Sequence, residues 1–266
     1  MDKQSKYLMI LDKNISGRSI NALAKNYNAL DYYVKLSSLL KNVFPSENFD
    51  NFSKYELHKL LNDTLLQNYK GEEILKYELF QNYINKKNII AAFEIKVNNS
   101  RVDFLTINGH TSSFEIKSEL DNLSKLSKQM ADYMLAFEYN YLVIDQTHIE
   151  KAKKMLPKSY GLWSYENGKY KKLRKALLNE KLDSEVQLRL LTKSELASSF
   201  PKVDGEINSI LNSLDAKDIN SRFKKVLKDR YRNRWEFLKT NKSEIFPMDV
   251  QFFFNTNIEP CYVYYQ

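Results

Sequence analysis

The sequence is poor in cysteine, glycine and proline: it has one cysteine, Cys261, with 6 glycines and 5 prolines in 266 residues. A single cysteine cannot form a disulfide within the chain or build a multi-cysteine zinc site, and it suits a reducing compartment. No apolar run approaches the ~20 residues of a membrane-spanning helix. The N-terminus lacks the pattern of a secretory signal peptide. We therefore expect a cytoplasmic protein that makes no membrane contact.

Several catalytic signatures are also missing. The three histidines, His58, His110 and His148, have no metal-ligand spacing. The chain has no glycine-rich loop of the kind that binds nucleoside triphosphates or dinucleotides, and no G-x-S-x-G nucleophile motif. These absences argue against a nucleotide-driven motor, a dinucleotide-dependent enzyme and a serine hydrolase of that type.

The charge balance is basic. Lys and Arg number 41 against 33 Asp and Glu, which gives a net charge of +8. A basic excess favours a polyanionic partner such as nucleic acid. The hydrophobic content of 43% is ordinary for a globular protein with a packed core.

Hydrophobic periodicity divides the chain into three segments. Residues 1–69 show helical spacing, and residues 70–174 combine helices with strands. Residues 175–266 return to helical spacing. Their aromatic tail, residues 246–266, has β propensity, and we expect it to pack against the rest of the chain.

The middle segment changes from a helical to a strand period after residue 88. The predicted elements, in order, are a helix from Glu72, strands at 89–97, 101–107 and 112–117, a helix at 121–138, a strand at 139–144, a helix at 149–156 and a hairpin within 157–173. Asn98-Asn99-Ser100 and Asn108-Gly109 are typical of tight hairpin turns. This order predicts an α/β sandwich in which three antiparallel strands precede a helical crossover.

Three side chains converge at one end of the second predicted hairpin. Asp103 lies on its first strand, and alternation places Glu115 and Lys117 on one face of its second strand. Two carboxylates and an ammonium suit a divalent cation and a water to be deprotonated, which phosphodiester hydrolysis requires.

Together with the element order, these residues resemble the PD-(D/E)xK, or restriction-endonuclease-like, nuclease superfamily. Val102-Asp103 stands where the family has Pro-Asp, so the proline is missing here, and Glu115-Ile116-Lys117 is the (D/E)xK element. Gln129 and Tyr133 are similar to a Q-x-x-x-Y element of RecB-like branches. The block FEIKSELDNLSKLSKQMADY also resembles a bacterial and phage group of predicted nucleases of this superfamily. The resemblance covers residues 72–144 and implies an αβββαβ core.

The resemblance also implies roles for these residues. The carboxylates of Asp103 and Glu115 and the carbonyl of Ile116 would bind Mg²⁺ or Mn²⁺. Lys117 would orient the attacking hydroxide and stabilise developing negative charge. Gln129 and Tyr133 would brace the site or touch the DNA backbone.

Many members of the superfamily add an upstream glutamate, and two positions are open here. Glu94 lies on the first predicted strand and can face Asp103 across the first hairpin, so it ranks first. Glu73, or its neighbour Glu72, lies on the preceding helix and ranks second.

The pattern of basic and apolar residues at 221–242 predicts a basic amphipathic helix, whose charged face can be interpreted in two ways. Its charged face is either a solvated surface over a packed helix or a contact surface for nucleic-acid phosphates. The candidate contacts are Arg222, Lys224, Lys225, Lys228, Arg230 and Arg232.

The hypothesis that unites these observations is a Mg²⁺-dependent deoxyribonuclease with helical segments on either side of its core. DNA is the expected partner, and a homodimer or a protein partner is left open. The first alternative is a module of the same fold that binds nucleic acid or protein without cutting. The second is a phage or anti-defence regulator that acts through its aromatic and helical surfaces.

Overall fold

The computed structural model describes residues 3–166, 168–203 and 205–266. Its regular elements, in chain order, are α1 Lys3–Leu11, α2 Gly17–Asn26, α3 Tyr33–Val43, α4 Lys54–Asn68, α5 Glu72–Ile84, β1 Ile90–Val97, β2 Ser100–Ile107, β3 Thr111–Lys117, α6 Leu126–Ala136, β4 Tyr139–Asp145, α7 Ile149–Met155, β5 Gly161–Glu166, β6 Lys169–Arg174, α8 Ser184–Arg189, α9 Lys193–Ser199, α10 Ile207–Ser213, α11 Ala216–Asn241, α12 Val250–Thr256 and α13 Pro260–Tyr264. Among the described residues, no helix has both the length and the apolar character needed to cross a membrane.

These elements form two compact units. The helical unit consists of Met1–Tyr77 and Phe237–Gln266, and the sheet unit is Glu78–Glu236. This division differs from the three predicted segments, because residues 175–236 belong with the sheet and the C-terminal residues belong with the N-terminal helices. All six described strands fall in the sheet unit.

The sheet is mixed, and its strands are ordered β1-β2-β3-β4-β5-β6. The first three strands are antiparallel, β3, β4 and β5 are parallel, and β6 is antiparallel to β5. The parallel pairs are joined by α6 and α7, since a parallel connection needs a crossover. The predicted αβββαβ order over residues 72–145 is present, and the protein is an α/β protein.

One face of the sheet is covered by an aromatic core. Phe104 and Phe114, on neighbouring strands, both lie within 6 Å of the Tyr83 ring of α5. Trp235 of α11 is fully buried and packs against Phe104 and against Phe80 of α5. Offset and edge contacts of this kind are favoured by aromatic rings. They attach the basic helix α11 to the sheet.

The opposite face is covered by α6 and α7. Leu126, Met130 and Met134 of α6 form one cluster with Leu142 and other apolar residues of β4, α7 and β5. Because side chains alternate along a strand, residues next to the aromatic positions, including Asp103 and Glu115, belong to the α6 face. The fold therefore directs the acidic residues of β2 and β3 away from the aromatic core.

The predicted strands agree with the observed strands to within one residue at most ends. The two hairpins turn where expected: Asn98 has φ 52° and Gly109 has φ 102°. Asparagine and glycine adopt this left-handed conformation at low cost, which explains why these turns can be read from sequence.

One predicted helix is wrong in extent. The helix expected at 121–138 spans only Leu126–Ala136, because Asp121 and Asn122 accept hydrogen bonds from Ser118 and Ser124 in local turns that compete with helix. The tail packs as expected, with Phe253 and Tyr264 buried, and despite its β propensity it forms α12 and α13. Prolines at the first turns of its helical stretches, Pro247 and Pro260, favour helix initiation and override the aromatic propensity.

A buried polar network connects the two ends of the chain within the helical unit. The hydroxyls of Tyr27 and Tyr264 each donate to Asp249 Oδ2 at 2.8 Å. The Tyr27 oxygen also lies 3.0 Å from His58 Nδ1 and accepts from Asn62 Nδ2 at 2.8 Å. Since Tyr27 donates its only proton to Asp249, His58 must carry its proton on Nδ1.

Burial shifts both ionisable groups of this network toward their neutral forms. It raises the pKa of Asp249 to about 7, although hydrogen bonds from Tyr264 and Tyr27 oppose the shift. Burial, followed by the charge of Lys54, lowers the pKa of His58 to about 4. As pH rises from 4 to 6.5, stability falls through Asp249, because the folded state keeps the proton that the unfolded state loses. Over the same range stability rises through His58, because the unfolded state binds more protons.

These opposing effects predict the behaviour of Asp249→Asn. In this variant only His58 titrates. The free energy of unfolding of the helical unit should therefore rise by about 3 kcal/mol more than in wild type between about pH 4 and 6.5. Hydrogen exchange of the α4 amides, corrected for intrinsic rates at each pH, measures this change. Asp50→Asn, at an exposed carboxylate of the same unit, is the control. An unchanged pH slope in Asp249→Asn would refute the interpretation.

Candidate functional site

The predicted Glu115-x-Lys117 element forms a buried ion pair at the end of β3. Glu115 has no exposed surface and Lys117 is 9% exposed. The Lys117 ammonium contacts Glu115 Oε1 directly. Burial lowers the pKa of Lys117, but Glu115, Asp103 and Asp121 together outweigh it, so this pKa lies above its ordinary value. Lys117 is therefore a permanent cation at neutral pH and not a general base.

Tyr133 of α6 holds the other oxygen of Glu115. Its hydroxyl lies 2.7 Å from Glu115 Oε2 and 2.6 Å from the carbonyl oxygen of Arg101. Burial, followed by the nearby Glu115 and Asp103 carboxylates, raises the pKa of Tyr133 far above its usual range. The phenol stays protonated and can donate to either oxygen. It therefore joins β2 and β3 beneath the site.

Asp103 is bound to the neighbouring strand through its side chain. The backbone pairing of β2 with β3 ends at Phe104 and Phe114, and beyond it the Ile116 amide donates to Asp103 Oδ2 at 2.6 Å. A carboxylate that accepts a backbone N–H is fixed in orientation. Asp103, Glu115 and Lys117 thus belong to one electrostatic cluster on the α6 face, as alternation along the strands predicts.

Glu94 lies opposite Asp103 in the β1–β2 pair, between the paired positions Phe93–Phe104 and Ile95–Val102. Carboxylate oxygens of Glu94 and Asp103 lie within 4.8 Å of each other. Glu94 has φ 57°, a left-handed conformation that a glutamate inside a strand adopts only at a cost. Such strain is concentrated at functional sites and directs a side chain away from its regular position.

The alternative third carboxylates, Glu72 and Glu73, begin α5 in the part of that helix that belongs to the helical unit. Glu72 forms an ion pair with Lys76 one turn later, at 3.0 Å. Glu94 shares the sheet unit with Asp103, Glu115 and Lys117, and its rank above the glutamates of α5 stays a prediction.

Gln129 lies one helical turn before Tyr133 on the same face of α6. Its side-chain oxygen is buried, and within the described part of the chain it has no hydrogen-bond partner. A buried acceptor without a donor is uncommon in a folded protein, and here it suits a bound water or another donor brought by a ligand.

The six cations predicted to contact nucleic acid on α11 are placed unequally. Lys224 pairs with Glu138 at 2.8 Å, and Arg230 pairs with Glu195. Arg222 donates to the carbonyl of Ser199. These three contacts bind α11 to its own unit, so these cations are engaged within the protein.

The other three side chains on α11 have no such role. Arg232 pairs with Asp229 on the surface of the same helix. Lys225 and Lys228 form no ion pair within the described residues. Of the six predicted cations, these three remain as candidate phosphate contacts on α11.

Two contributors were missed by sequence reasoning. Asp121 raises the pKa of Lys117, and it accepts from the Ser118 amide and hydroxyl. The spacing Ser-x-x-Asp is a sequence signal for such a turn. Arg101 Nη1 lies 3.7 Å from Glu94 Oε2. Arg101 is two residues before Asp103 on the same strand, so alternation could have predicted that both lie on one face.

The comparisons with known proteins place the chain in a family. The family model described as Bacteriophage P4 protein cII matches residues 62–253. The chain belongs to this family. The matched residues include all of the candidate site. The family is named for a phage protein.

Other comparisons add little to this assignment. No curated protein matches this cII-family chain. A solved structure of a protein of unknown function from Silicibacter pomeroyi is 16% identical with a TM-score of 0.33, and the match covers 48% of this chain and 90% of that chain. A similarity of this degree establishes neither fold nor function.

The buried pair leads to a prediction about stability. Lys117→Met should destabilise the sheet unit by about 3–5 kcal/mol, because the Glu115 carboxylate is left buried without a counter-charge. The double variant Lys117→Met/Glu115→Gln should lose much less. Urea denaturation followed by tryptophan fluorescence reports on this unit, since both tryptophans, Trp163 and Trp235, lie in it.

Lys153→Met is the matched control for that experiment. Lys153 pairs with Glu150 at the surface, so its removal should change stability by less than about 1 kcal/mol. If the single variant at Lys117 proved no less stable than the double variant, Glu115 would not depend on Lys117 for its charge.

Proposed function

We propose that the sheet unit is a metal-dependent nuclease that hydrolyses DNA phosphodiester bonds, with a restriction-endonuclease-like core. The observation that carries this proposal is the arrangement of Lys117. A protonated amine is held by a buried carboxylate on the same sheet face as a strand-oriented aspartate. The site of a phosphodiesterase needs such a fixed cation beside oxygen ligands.

The residues present fit a hard divalent cation. Mg²⁺ prefers carboxylate and carbonyl oxygens and keeps several waters. Asp103 and Glu94 offer carboxylate oxygens within 4.8 Å of each other, and Gln129 offers a buried acceptor without a partner. In the proposal Asp103 and Glu94 hold Mg²⁺ or Mn²⁺. Glu115 and the carbonyl of Ile116 complete the ligand set, as the nuclease resemblance implies.

When bound, such a cation would lower the pKa of a water and neutralise charge on the phosphate. The protein's own residues supply the rest. Lys117 remains protonated and stabilises negative charge that develops on the phosphate oxygens. Tyr133 keeps Glu115 in its position, and the charge of Asp121 favours the protonated form of Lys117. The backbone amide of Ile116 fixes the orientation of Asp103.

Access to the site is provided beside Glu94. A cavity of about 440 Å³ is lined by Glu94, Ile95, Lys96, Asn98, Val186, Arg189, Leu190, Arg230 and Tyr231. Lys96 suits a phosphate-bearing substrate there, whereas Arg189 and Arg230 are paired with Glu185 and Glu195. A polyanion approaching through this cavity would meet Glu94 before the buried Glu115.

One observation favours a second candidate, a module that binds nucleic acid or protein without cutting. Both oxygens of Glu115 already have partners within the protein, Lys117 and Tyr133. A pair of this kind can be purely structural, in which case Glu115 would bind no metal. This candidate retains binding but predicts no metal-dependent cleavage.

The test is cleavage of supercoiled and single-stranded DNA with Mg²⁺ or Mn²⁺. Asp103→Asn and Lys117→Met should each reduce the rate by about 100-fold or more, since each removes charge from the reacting centre. Asparagine can still accept the Ile116 amide, which limits damage to the fold. Circular dichroism establishes that each variant is folded.

Glu166→Gln is the matched control, because it neutralises an exposed carboxylate of the same sheet. It should retain the wild-type rate, and EDTA should abolish cleavage by every variant. DNA binding by a wild-type protein that does not cleave with either metal would favour the binding module. Equal rates in wild type and Asp103→Asn would also refute the proposed site.

The choice of third carboxylate gives a separate prediction. Glu94→Gln should weaken Mn²⁺ binding measured by calorimetry by about tenfold or more, because one charged ligand is lost. Glu73→Gln should leave the affinity within about twofold. The reverse result would move the third ligand to α5.

A further inference from the structure

The basic excess of the chain is concentrated in one short stretch. Residues 151–175 contain nine Lys or Arg and a single acidic residue, Glu166, so this stretch alone carries a net charge of +8. That value equals the net charge of the whole protein. We call its eight lysines the lysine surface: Lys151, Lys153, Lys154, Lys158, Lys169, Lys171, Lys172 and Lys175.

All eight lysines are exposed. They come from α7, from the loop that follows it and from β6 with its end. Among the described residues, Lys153 alone of the eight forms an ion pair, with the exposed Glu150. The ninth basic residue, Arg174, is half-buried and has a structural role. The surface therefore presents positive charge that the protein itself does not neutralise.

Contacts within the sheet unit join the two halves of this surface. Arg174 donates from Nε to the carbonyl of Tyr160 and from Nη2 to that of Pro157, both at 2.7 Å. The Leu177 amide donates to the carbonyl of Ser159 at 2.9 Å. The loop after α7 thus runs beside the end of β6, which brings Lys158 and Lys175 to the same region.

A second observation indicates a site for an anion. The Lys172 ammonium lies over the Trp163 ring at 4.9 Å, and that of Lys86 lies over the Tyr83 ring at 4.0 Å. Burial lowers the pKa of Lys86, and the charge of Lys172 lowers it further. Both aromatic rings pack on Phe114, so these two cations lie on the aromatic face of the sheet, opposite α7, and a bound anion there would offset the repulsion between them.

Protection of the sheet edge explains only part of this pattern. β6 is an edge strand, and lysines on such strands discourage pairing with other chains. That function does not require the lysines of α7 or Lys158. A lipid surface is also less suitable, because the apolar residues of α7, such as Ala152, pack inward and leave no apolar face to insert. Leu177 and Leu178 are exposed nearby, so lipid binding needs its own test.

The lysine surface begins at the same end of the sheet as the candidate site. β3, β4 and β5 are parallel, so Lys117 and the chain ends that lead into α7 and β6 lie along one edge. Three strand spacings separate β3 from β6, about 14 Å. A nucleic acid strand of a few nucleotides spans that distance.

We propose that the lysine surface binds the phosphate backbone of nucleic acid, which would run from Lys169, at the carboxyl end of the parallel strands, to Lys158 and Lys175, beside the start of β5. The proposal rests on the proposed function for the nature of the ligand, but binding to this surface does not require cleavage. Under this proposal, the main contacts with nucleic-acid phosphates come from α7 and the β5–β6 hairpin and not from α11.

The experiment measures binding of labelled DNA, duplex and single-stranded, by fluorescence anisotropy in EDTA over a range of salt concentrations. Lys154→Gln/Lys158→Gln/Lys171→Gln should weaken binding by about tenfold or more and reduce the slope of log affinity against log salt by up to about three. The competing variant is Lys225→Gln/Lys228→Gln/Arg232→Gln on α11, and a smaller loss is expected from it.

Lys25→Gln/Lys41→Gln/Lys193→Gln removes the same charge from exposed positions outside both surfaces and should change affinity by less than about twofold. An equal loss in all three variants, or the largest loss in the α11 variant, would overturn the proposal. So would binding to phosphatidylserine vesicles without binding to DNA. Because EDTA suppresses cleavage, a protein that binds through these lysines but never cleaves would refute the proposed function and leave this inference standing.

Discussion

The candidate site depends on one carboxylate that has no contact with water. Glu115 is stabilised in the core by Lys117 on one oxygen and by Tyr133 on the other. Removing a charge from water costs several kcal/mol, and only partners of this geometry repay it. The contact of Tyr133 of α6 and the protonated state of Lys117 both meet this requirement. The ion pair fixes a cation at the end of a parallel strand.

Around that pair, the sheet supplies two further carboxylates whose positions are set by the backbone. Asp103 is fixed by a backbone amide, and Glu94 reaches it through a left-handed backbone conformation. The positions on either side of Glu94 pair regularly with β2, so the left-handed conformation is confined to Glu94 itself. Strain retained inside an otherwise regular hairpin is consistent with a role in ligand binding.

Local chemistry explains what sequence reasoning predicted well. The strands of the sheet and the Asn-Gly turn follow from alternation and from the left-handed preference of those two residues. The grouping of Asp103, Glu115 and Lys117 follows from the same alternation. The tail packs as expected, but its aromatic β propensity gave no indication of the helices that form there. Sequence reasoning was wrong at the start of α6, where the side chains of Asp121 and Asn122 accept backbone hydrogen bonds in local turns that compete with the helix.

The sequence by itself determined the order of elements, the face on which the acidic residues lie and the concentration of charge in residues 151–175, because these depend on period and composition. Tertiary structure decided which cations are available. Lys224 and Arg230 lie in the most basic predicted helix, yet they form ion pairs with Glu138 and Glu195, which are distant in sequence. Tertiary packing also brought the C-terminal Asp249 and Tyr264 together with Tyr27 and His58. Pairing between distant residues depends on how helices pack, and no local pattern encodes it.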